Sequence, residues 1–368
     1  MSLKLAFLIP SMSGGGMERV MCQIINYIVD KKNDEVHLVL YGKKPNIFYS
    51  ISPKVIIHYH NIKYTDKHRK IFTIKTIYWL RKEIKSINPD SILSFGEIWN
   101  NLVMIALYGL NYPIYLSDRC KPDRTFSKFH TILRKILYPK STGIIAQTQK
   151  AKEIYFTQFK HKNITVIGNP IRNISSSSIK KENIVVSIGR LIKTKNFDQL
   201  IDIFARIEID DWKLIIIGGD ALKQNNSVIL QKKIEDLGMQ DKIILAGTQK
   251  EVEPYLLKSR IFAFTSSSEG FPNVIGEAMS AGLPVVAYDC IAGPSEMISD
   301  NRNGFLIPLF DTETFYNRLK YLMENTNQAS IMGDLAKQDI QRFSVDIIGE
   351  LYYKTITSKV ITNKNNCI

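Results

Sequence analysis

The sequence predicts an α/β protein with two doubly wound parallel sheets, and three observations support that prediction. Short apolar runs alternate with helical patterns along the chain, as in successive βαβ units. The length of 368 residues is too great for one ordinary core and suggests two domains of about 150 to 200 residues each. The alternation restarts at Ile184, after a serine-rich stretch.

The composition is that of a globular protein, with 45% hydrophobic and 23% charged residues. No apolar run reaches the roughly 18 residues of a membrane-spanning helix, and the first residues lack a signal-peptide pattern. Scattered cysteines without metal-type spacing favour a reduced cytosolic protein. These are Cys22, Cys120, Cys290 and Cys367. The net charge of +14 predicts an anionic partner, which could be nucleic acid, anionic lipid or a phosphorylated ligand.

The first half contains the predicted elements of one doubly wound sheet. Its strands are predicted at Lys4 to Ile9, Val36 to Tyr41, Val55 to His58, Ser91 to Phe95, Ile114 to Ser117 and Ile144 to Gln147. Its helices are predicted at Glu18 to Val29, Ile71 to Ile84, Trp99 to Leu107 and Thr148 to Phe159.

Residues that directly follow these strands are candidates for ligand contact, because ligands of such sheets bind at the carboxyl ends of the strands. The loop Gly14, Gly15 and Gly16 follows the first strand, and a helix begins near Met17. Glycines allow a ligand to approach the backbone closely, although a plain tight turn is an equal alternative. Later strands are followed by further polar candidates, namely Glu97, Asn101, Asp118 and Arg119.

Two basic stretches of the first half also carry apolar residues at helical spacing. One runs from Lys67 to Lys85 and includes Lys70, Arg81 and Lys82, and the other, which includes Arg134, runs from Lys128 to Lys140. Cationic flanks around an apolar face are typical of helices that lie on an anionic membrane surface. The alternative is an ordinary helix that buries one face while its lysines stay solvated.

In the second half, cations follow a predicted strand at Ile184 to Ile188. Gly189, Arg190 and Lys195 lie in the loop after this strand. A guanidinium and an ammonium on one side of a site can neutralise a diphosphate. The alternative is a solvated lysine-rich loop.

The stretch from Phe262 to Asp289 combines two carboxylates with a helix start. A strand is predicted at Ile261 to Phe264, and a helix from Pro272 or Asn273 to Gly282. The first N–H groups of that helix, around Phe271 to Val274, form a candidate anion site. The candidate binding residues at this helix start are Gly270, Phe271, Pro272, Asn273 and Val274. Seven residues separate Glu269 from Glu277, and carboxylates accept hydrogen bonds from vicinal hydroxyls. This stretch predicts a ligand with both phosphate and sugar hydroxyls.

The stretch resembles the donor-binding signature of the retaining family 4 glycosyltransferases, E-G-F-[PG]-N-x-x-x-E-A-M-A-x-G-x-P-V. The matching segments are Glu269-Gly270-Phe271-Pro272-Asn273, Glu277-Ala278-Met279, Gly282 and Pro284-Val285. Gly189-Arg190-Leu191 with Lys195 is similar to the family's G-R-L-x-x-x-K motif, and Gly15 to Arg19 to its G-G-[AM]-E-R loop.

The resemblance implies the GT-B fold, in which two Rossmann-like domains face each other across a cleft. An acceptor-binding domain would span 1–170, with the last helix at 345–368 packing back on it. A nucleotide-sugar-binding domain would span 171–344. The serine-rich segment from Arg172 to Lys181 is predicted to be the linker between them.

The resemblance further implies a retaining transferase that needs no metal and no cofactor other than its UDP-sugar donor. Arg190, Lys195 and the loop Gly14 to Gly16 would stabilise the diphosphate, Glu269 would hold the donor sugar and Glu277 the ribose. The acceptor would be a polyprenyl-diphosphate-linked oligosaccharide of bacterial surface polysaccharide synthesis. The enzyme would then work at the cytoplasmic face of the plasma membrane.

Several points stay open at the level of sequence. A UDP-sugar epimerase of the same fold and a basic nucleic-acid-binding protein are the alternatives, although no nucleic-acid motif is present. The donor sugar could be Gal, GalNAc, Glc or GlcNAc, and the oligomeric state is open. The segment Ser117-Asp118-Arg119 resembles an S-E-R segment of the family and could face either substrate, or Asp118 and Arg119 could pair with each other. The role of Glu97 is also open.

Overall fold

The computed structural model describes residues 2–42, 47–60, 66–175, 179–222 and 224–365. The chain forms two compact units. Unit 1 consists of Met1–Pro170 together with Val345–Ile368, and unit 2 consists of Ile171–Ser344.

Unit 1 is built on a seven-stranded parallel sheet, with strand order β3-β2-β1-β4-β5-β6-β7. Its strands are β1 Lys4–Ile9, β2 Glu35–Leu40, β3 Ile56–Tyr59, β4 Ser91–Phe95, β5 Ile114–Ser117, β6 Gly143–Ala146 and β7 Ile164–Val166. Strands β4, β5 and β6 are buried along their whole length, as expected for a parallel sheet covered on both faces. The order reverses between β1 and β4, which defines the switch point of this sheet.

The helices of unit 1 cover this sheet, and the last of them comes from the end of the chain. They are α1 Gly16–Lys31, α2 Arg69–Ile87, α3 Glu97–Ala106, α4 Lys128–Leu137, α5 Gln149–Phe159 and α13 Val345–Asn365. Helix α13 packs on α1, where a Cβ atom at Gly349 would lie 2.4 Å from the ring of Tyr27. The Tyr27 hydroxyl donates to Glu350 at 2.9 Å, so the end of the chain is an integral part of unit 1.

Unit 2 repeats the design with a six-stranded parallel sheet of order β10-β9-β8-β11-β12-β13. Its strands are β8 Ile184–Ile188, β9 Lys213–Ile217, β10 Ile243–Gly247, β11 Ile261–Phe264, β12 Val285–Tyr288 and β13 Gly304–Ile307. Its helices are α6 Phe197–Ala205, α7 Asn226–Asp236, α8 Glu253–Lys258, α9 Asn273–Ser280, α10 Pro294–Met297, α11 Thr312–Glu324 and α12 Thr326–Asp339. The order reverses between β8 and β11, so the loops after these two strands lie side by side.

The structure confirms the fold class, and most predicted elements lie within three residues of their predicted ends. Helix α9 begins at Asn273 as predicted but ends at Ser280, two residues before Gly282. Gly282 has φ of 74°, the left-handed conformation common just beyond a helix end. None of the helices in the described part of the chain combines the length and apolarity needed to cross a bilayer.

The predicted linker is wrong at its first residues, because they are fixed parts of unit 2. Ile174 is fully buried, and its N–H donates to Ser280 Oγ at 2.9 Å. Ser280 in turn donates to the carbonyl of Arg172 at 3.0 Å. The N–H of Ile171 donates to the carbonyl of Phe343 at 2.7 Å. The serines at 176–178 lie outside the described residues.

Candidate active site

The loops that follow β8 and β11 are joined by a set of hydrogen bonds. The N–H of Ser267 donates to the carbonyl of Thr194 at 2.8 Å. The hydroxyl of Thr265 donates to the carbonyl of Lys195 at 2.8 Å, and the Asn196 amide donates to the carbonyl of Thr265 at 2.8 Å. The cation-bearing loop and the carboxylate-bearing loop therefore form one continuous structure, although about 70 residues separate them in sequence.

Lys195 and Glu269 meet in this structure as an ion pair, with Nζ 2.6 Å from Oε1. The Ser266 hydroxyl donates to the same oxygen at 2.7 Å. Both contacts use Oε1, so Oε2 keeps its capacity to accept a hydrogen bond from a ligand. Gly189 makes room for the lysine, because a Cβ atom there would lie 3.0 Å from Lys195 Cε.

Arg190, the other predicted cation, immediately follows Gly189 and its side chain is exposed. The Arg190 side chain makes no hydrogen bond or ion pair with any residue that the structure describes, although its backbone carbonyl accepts one from the N–H of Ile192 at 2.8 Å. All of its donors are therefore available to an anion, whereas Lys195 would have to share its charge with Glu269.

The start of α9 has fewer available donors than the sequence predicts. The N–H of Asn273 donates to the carbonyl of Phe271 at 3.0 Å, and the N–H of Ile275 donates to that of Pro272 at 2.9 Å. These bonds arise because Pro272 precedes the helix with a tight turn. Gly293 packs against this turn, with a φ of 116° and a would-be Cβ 2.0 Å from Pro272 Cδ. Gly270 and Val274 flank the turn on either side.

Glu277 lies in α9 and is buried, with 3% of its surface exposed. Arg172 reaches toward its carboxylate, with Nε 4.0 Å from Oε1. The same guanidinium lies 3.7 Å from Oε2 of Glu253, at the start of α8. Sequence reasoning missed Arg172, because the neighbouring serines indicated a linker.

The glycine loop belongs to unit 1, whereas the other predicted donor-site residues belong to unit 2. Gly15 is the N-cap of α1, and Gly16 is the first residue of that helix instead of a loop residue. The Tyr49 hydroxyl donates to the carbonyl of Gly15 at 3.0 Å, and a Cβ atom at Gly14 would lie 3.3 Å from the Phe48 ring. The contact of this loop with donor phosphates stays a prediction.

Asp118 is buried and pairs with Arg134 of α4, so the expected pair between Asp118 and Arg119 is wrong. Its carboxylate pairs with Arg134 of α4 and accepts hydrogen bonds from the Tyr138 hydroxyl at 2.5 Å and the Asn100 amide at 3.2 Å. Burial raises the pKa of Asp118 to about 6, while the charge of Arg134 opposes that rise. The carboxylate and its partners form a buried polar network just beyond the end of β5.

Arg119 and Glu97 also serve the structure of unit 1. Arg119 donates to the Tyr352 hydroxyl at 3.1 Å and to Asn169 Oδ1 at 2.5 Å. Glu97 accepts a hydrogen bond from the N–H of Arg119 at 2.6 Å and another from the N–H of Cys120. The Glu97 carboxylate therefore fixes the backbone after β5.

Helices α2 and α4 expose apolar side chains beside lysines. The exposed apolar residues are Ile71, Ile74 and Tyr78 on α2 and Phe129, Ile132 and Ile136 on α4. The exposed lysines are Lys70, Lys75, Lys82 and Lys85 on α2 and Lys128 and Lys135 on α4, with Lys140 just beyond α4. Two predicted cations of this surface serve other purposes, because Arg134 is buried and Arg81 donates to the carbonyls of Ala106 and Tyr108.

A cavity of about 760 Å³ opens in unit 2 beside α7. Leu191, Gly218, Gly247 and Gln231 are among its lining residues. Arg190, Lys195, Glu269 and Glu277 do not line it. Arg190, Lys195 and Glu269 therefore lie outside this cavity, in the loops after β8 and β11, and Glu277 lies outside it in α9.

Comparison with known families identifies both halves of the chain. Residues 14–172 match the family described as "Glycosyltransferase Family 4", and residues 171–339 match "Glycosyl transferases group 1". These two matches meet at 171–172, where the structure passes from unit 1 to unit 2.

Similar proteins and solved structures agree with this result. The chain is 26% identical to the amylovoran biosynthesis glycosyltransferase AmsD of Erwinia amylovora, over 94% of this chain and 97% of that protein. It is 25% identical to a Campylobacter jejuni enzyme over 96% of this chain and 98% of that one. That enzyme is named as an α-1,4-N-acetyl-D-galactosaminyltransferase acting on a diNAcBac-PP-undecaprenol-linked GalNAc disaccharide.

The crystal structure of Anabaena Alr3699/HepE in complex with UDP has a similar fold, with a TM-score of 0.80 at 19% identity. The match covers 97% of this chain and 100% of that one. The strand orders, the two joined loops and these matches lead to one conclusion: the chain belongs to family 4 of the glycosyltransferases and has the GT-B fold.

Proposed function

We propose that the protein is a retaining glycosyltransferase that moves a hexose or N-acetylhexosamine from a UDP-sugar, without a metal ion, to a lipid-linked oligosaccharide. The observation that carries the proposal is the hydrogen-bonded pair of loops in unit 2, which places Lys195 beside Glu269. A cation and a carboxylate in one site suit a ligand that has a diphosphate and a sugar.

Lys195 and Arg190 would stabilise the negative charge that develops on the diphosphate as its bond to the sugar breaks. Preorganised charges of this kind supply the largest part of many catalytic effects. In the proposed donor complex, the ammonium of Lys195 contacts the diphosphate as well as Glu269. Oε2 of Glu269 accepts a hydrogen bond from a donor-sugar hydroxyl, and Glu277 accepts hydrogen bonds from the ribose hydroxyls. The bond between the sugar C1 and the diphosphate oxygen then breaks, and the acceptor oxygen bonds to C1 on the same face while its proton passes to the leaving diphosphate.

Replacing Lys195 or Arg190 with alanine tests the proposal directly. Each variant should lower kcat by about 100-fold or more, because one well-placed charge donor is worth about 3 kcal/mol in the transition state. Lys193 is the matched control, since it lies in the same loop with an exposed side chain. Lys193→Ala should keep its rate within about twofold.

The assay would supply UDP-Gal, UDP-GalNAc, UDP-Glc and UDP-GlcNAc separately and score transfer to a bacterial lipid extract. Near-full rates in both cation variants would refute the assignment of the site. Epimerised sugar formed without any acceptor would refute transfer as the activity. Product with the opposite anomeric configuration would refute retention, and loss of activity in a chelator would refute metal independence.

The acceptor is proposed from the relatives. The Campylobacter jejuni enzyme is named for an undecaprenol-diphosphate-linked substrate, and the Erwinia amylovora enzyme for amylovoran biosynthesis. A polyprenyl-diphosphate-linked oligosaccharide used in bacterial surface polysaccharide synthesis fits both. Such an acceptor would place the enzyme at the cytoplasmic face of the plasma membrane.

The exposed face of α2 and α4 supports this part of the proposal. Phe129 is 66% exposed and Tyr78 is 72% exposed, and lysines flank both residues. Helix α3 packs against both α2 and α4. Apolar side chains among lysines suit an anionic membrane surface, where each lysine contributes about 1 kcal/mol of attraction.

Flotation with liposomes that contain an anionic lipid tests the membrane contact. The triple variant Phe129→Ser, Ile132→Ser and Ile136→Ser should remain with the unbound protein, while the wild type floats. The matched control is Val228→Ser with Ile229→Ser, because these residues are about equally exposed on α7 of unit 2. Equal flotation of the triple variant and the control would show that the exposed face of α4 does not contact the membrane.

A further inference from the structure

We propose that Arg172 recognises the nucleoside part of the donor, acting from its position beside Glu277. The inference rests on the proposed function, because it takes a uridine nucleotide as the ligand of unit 2. It adds a residue that none of the sequence motifs includes.

The backbone at Arg172 is fixed on helix α9. The Ser280 hydroxyl donates to the carbonyl of Arg172 at 3.0 Å and accepts a hydrogen bond from the N–H of Ile174. Gly276 allows the close approach, because a Cβ atom there would lie 2.6 Å from Ile171 Cδ1. Gly276 and Ser280 are one helical turn apart, and Glu277 lies between them. The helix that presents Glu277 therefore also sets the position of Arg172.

The guanidinium of Arg172 is held by charge more than by hydrogen bonds. It lies 4.0 Å from Glu277 and 3.7 Å from Glu253, and both distances exceed an ordinary hydrogen bond. Nε is buried without a hydrogen-bond partner, while the side chain as a whole remains 42% exposed. A guanidinium carries five N–H donors. The two carboxylates thus orient a group whose donors are still available to a ligand.

The ligand groups expected beside Glu277 are acceptors. In the proposed donor complex Glu277 accepts hydrogen bonds from the ribose hydroxyls, so the ribose oxygens would lie within reach of Arg172. Glu253 begins α8, the helix that follows the loop after β10. A pyrimidine carbonyl and ribose oxygens can each accept a hydrogen bond from a guanidinium. A contact at the nucleoside, away from the diphosphate, would strengthen donor binding without acting on the bond that breaks.

Titration calorimetry with UDP and with uridine monophosphate tests this contact. Arg172→Gln should raise the Kd of both ligands by about the same factor, roughly tenfold or more, since a hydrogen bond from a charged group is lost. Its kcat at saturating donor should stay within about twofold, while KM rises. Arg172→Lys keeps the positive charge between the two glutamates but loses the planar guanidinium. It should therefore raise both Kd values by less than Arg172→Gln does.

Two variants serve as comparisons. Lys195→Ala should weaken UDP more than uridine monophosphate, because Lys195 is placed at the diphosphate. Arg206→Gln removes an arginine that pairs with Glu313 on the surface of unit 2, at 2.6 Å, and should leave both Kd values unchanged. If Arg172→Gln fails to fold, Arg172→Lys carries the test.

The outcomes separate this inference from the proposed function. If the wild type binds neither uridine nucleotide, the UDP-sugar part of the proposed function is wrong. If the wild type binds both and Arg172→Gln binds them equally well, the inference is wrong and the proposed function stands. A loss for UDP alone, or a fall in kcat with unchanged KM, would also overturn the nucleoside contact.

Discussion

Replacing Arg134 with methionine should destabilise unit 1 strongly. The guanidinium is buried, pairs with the buried carboxylate of Asp118 and lies 4.6 Å from the centre of the Phe126 ring. Methionine keeps most of the apolar contacts but removes the charge. Removing one partner of a buried ion pair typically costs about 3–5 kcal/mol, because the other charge stays without compensation. That loss is a large part of the roughly 5–15 kcal/mol that stabilises an ordinary domain.

The loss of unfolding free energy caused by Arg134→Met should increase as the pH rises. Burial raises the pKa of Asp118 to about 6, and Arg134 opposes the rise. Without Arg134 that pKa should be higher still. An acid whose folded pKa exceeds its unfolded value loses stabilisation as pH rises through the folded pKa. Above about pH 6 the wild type has completed this loss, because its Asp118 is already ionised. The variant, whose Asp118 has a higher pKa, continues to lose up to about 1.4 kcal/mol of unfolding free energy per pH unit.

Urea unfolding followed by circular dichroism at several pH values between about 6 and 8 would measure the difference. We expect the gap in unfolding free energy between wild type and Arg134→Met to widen as pH rises. Arg206→Met is the matched control, since its ion pair with Glu313 is exposed to solvent and should contribute little to stability at every pH. A gap that stays constant across this range, or that is as small as the control's, would refute the reasoning.

Two further substitutions test the packing and positioning described above. Ser266→Ala should lower kcat/KM by about tenfold, because Glu269 loses a hydrogen bond at 2.7 Å to a charged oxygen. Ser267→Ala removes a half-buried hydroxyl that donates to the carbonyl of Thr194 at 3.2 Å, and its kcat/KM should stay within about twofold. Equal rates in the two variants would show that the Ser266 hydroxyl does not position the Glu269 carboxylate. Gly349→Ala should lower the unfolding free energy by about 1–3 kcal/mol in urea titration, because its methyl group would overlap the Tyr27 ring, and an unchanged midpoint would show that α13 shifts freely on α1.

The fold was predictable because its signals are local. Apolar runs such as Ile184–Ile188 and Ile261–Phe264 alternate with helical patterns, and a parallel sheet requires that alternation. The positions of Lys195 and Glu269 also follow from it. Ligand residues after neighbouring strands converge at one sheet edge, and β8 and β11 are neighbours. The chemical roles of these residues stay predictions.

The errors concern residues whose partners lie far away in sequence. Arg134 belongs to a basic helix, and its pattern does not distinguish a solvated cation from one that is buried against Asp118. Arg172 precedes a run of serines, so it resembled a linker residue, although Ser280 fixes its backbone more than 100 residues later. In both cases burial decides the role, and charge alone does not encode burial.

The sequence by itself determined the α/β architecture, the family and the two motifs that bring cations and carboxylates to unit 2. Tertiary structure decided which charges are used inside the protein and which remain available to a ligand. Arg134 and Arg81 are engaged by neighbouring groups, whereas Arg172 retains unused donors beside Glu277. The physical reason is that a charged side chain takes its function from its solvation and its partners, and both are set by packing between distant segments.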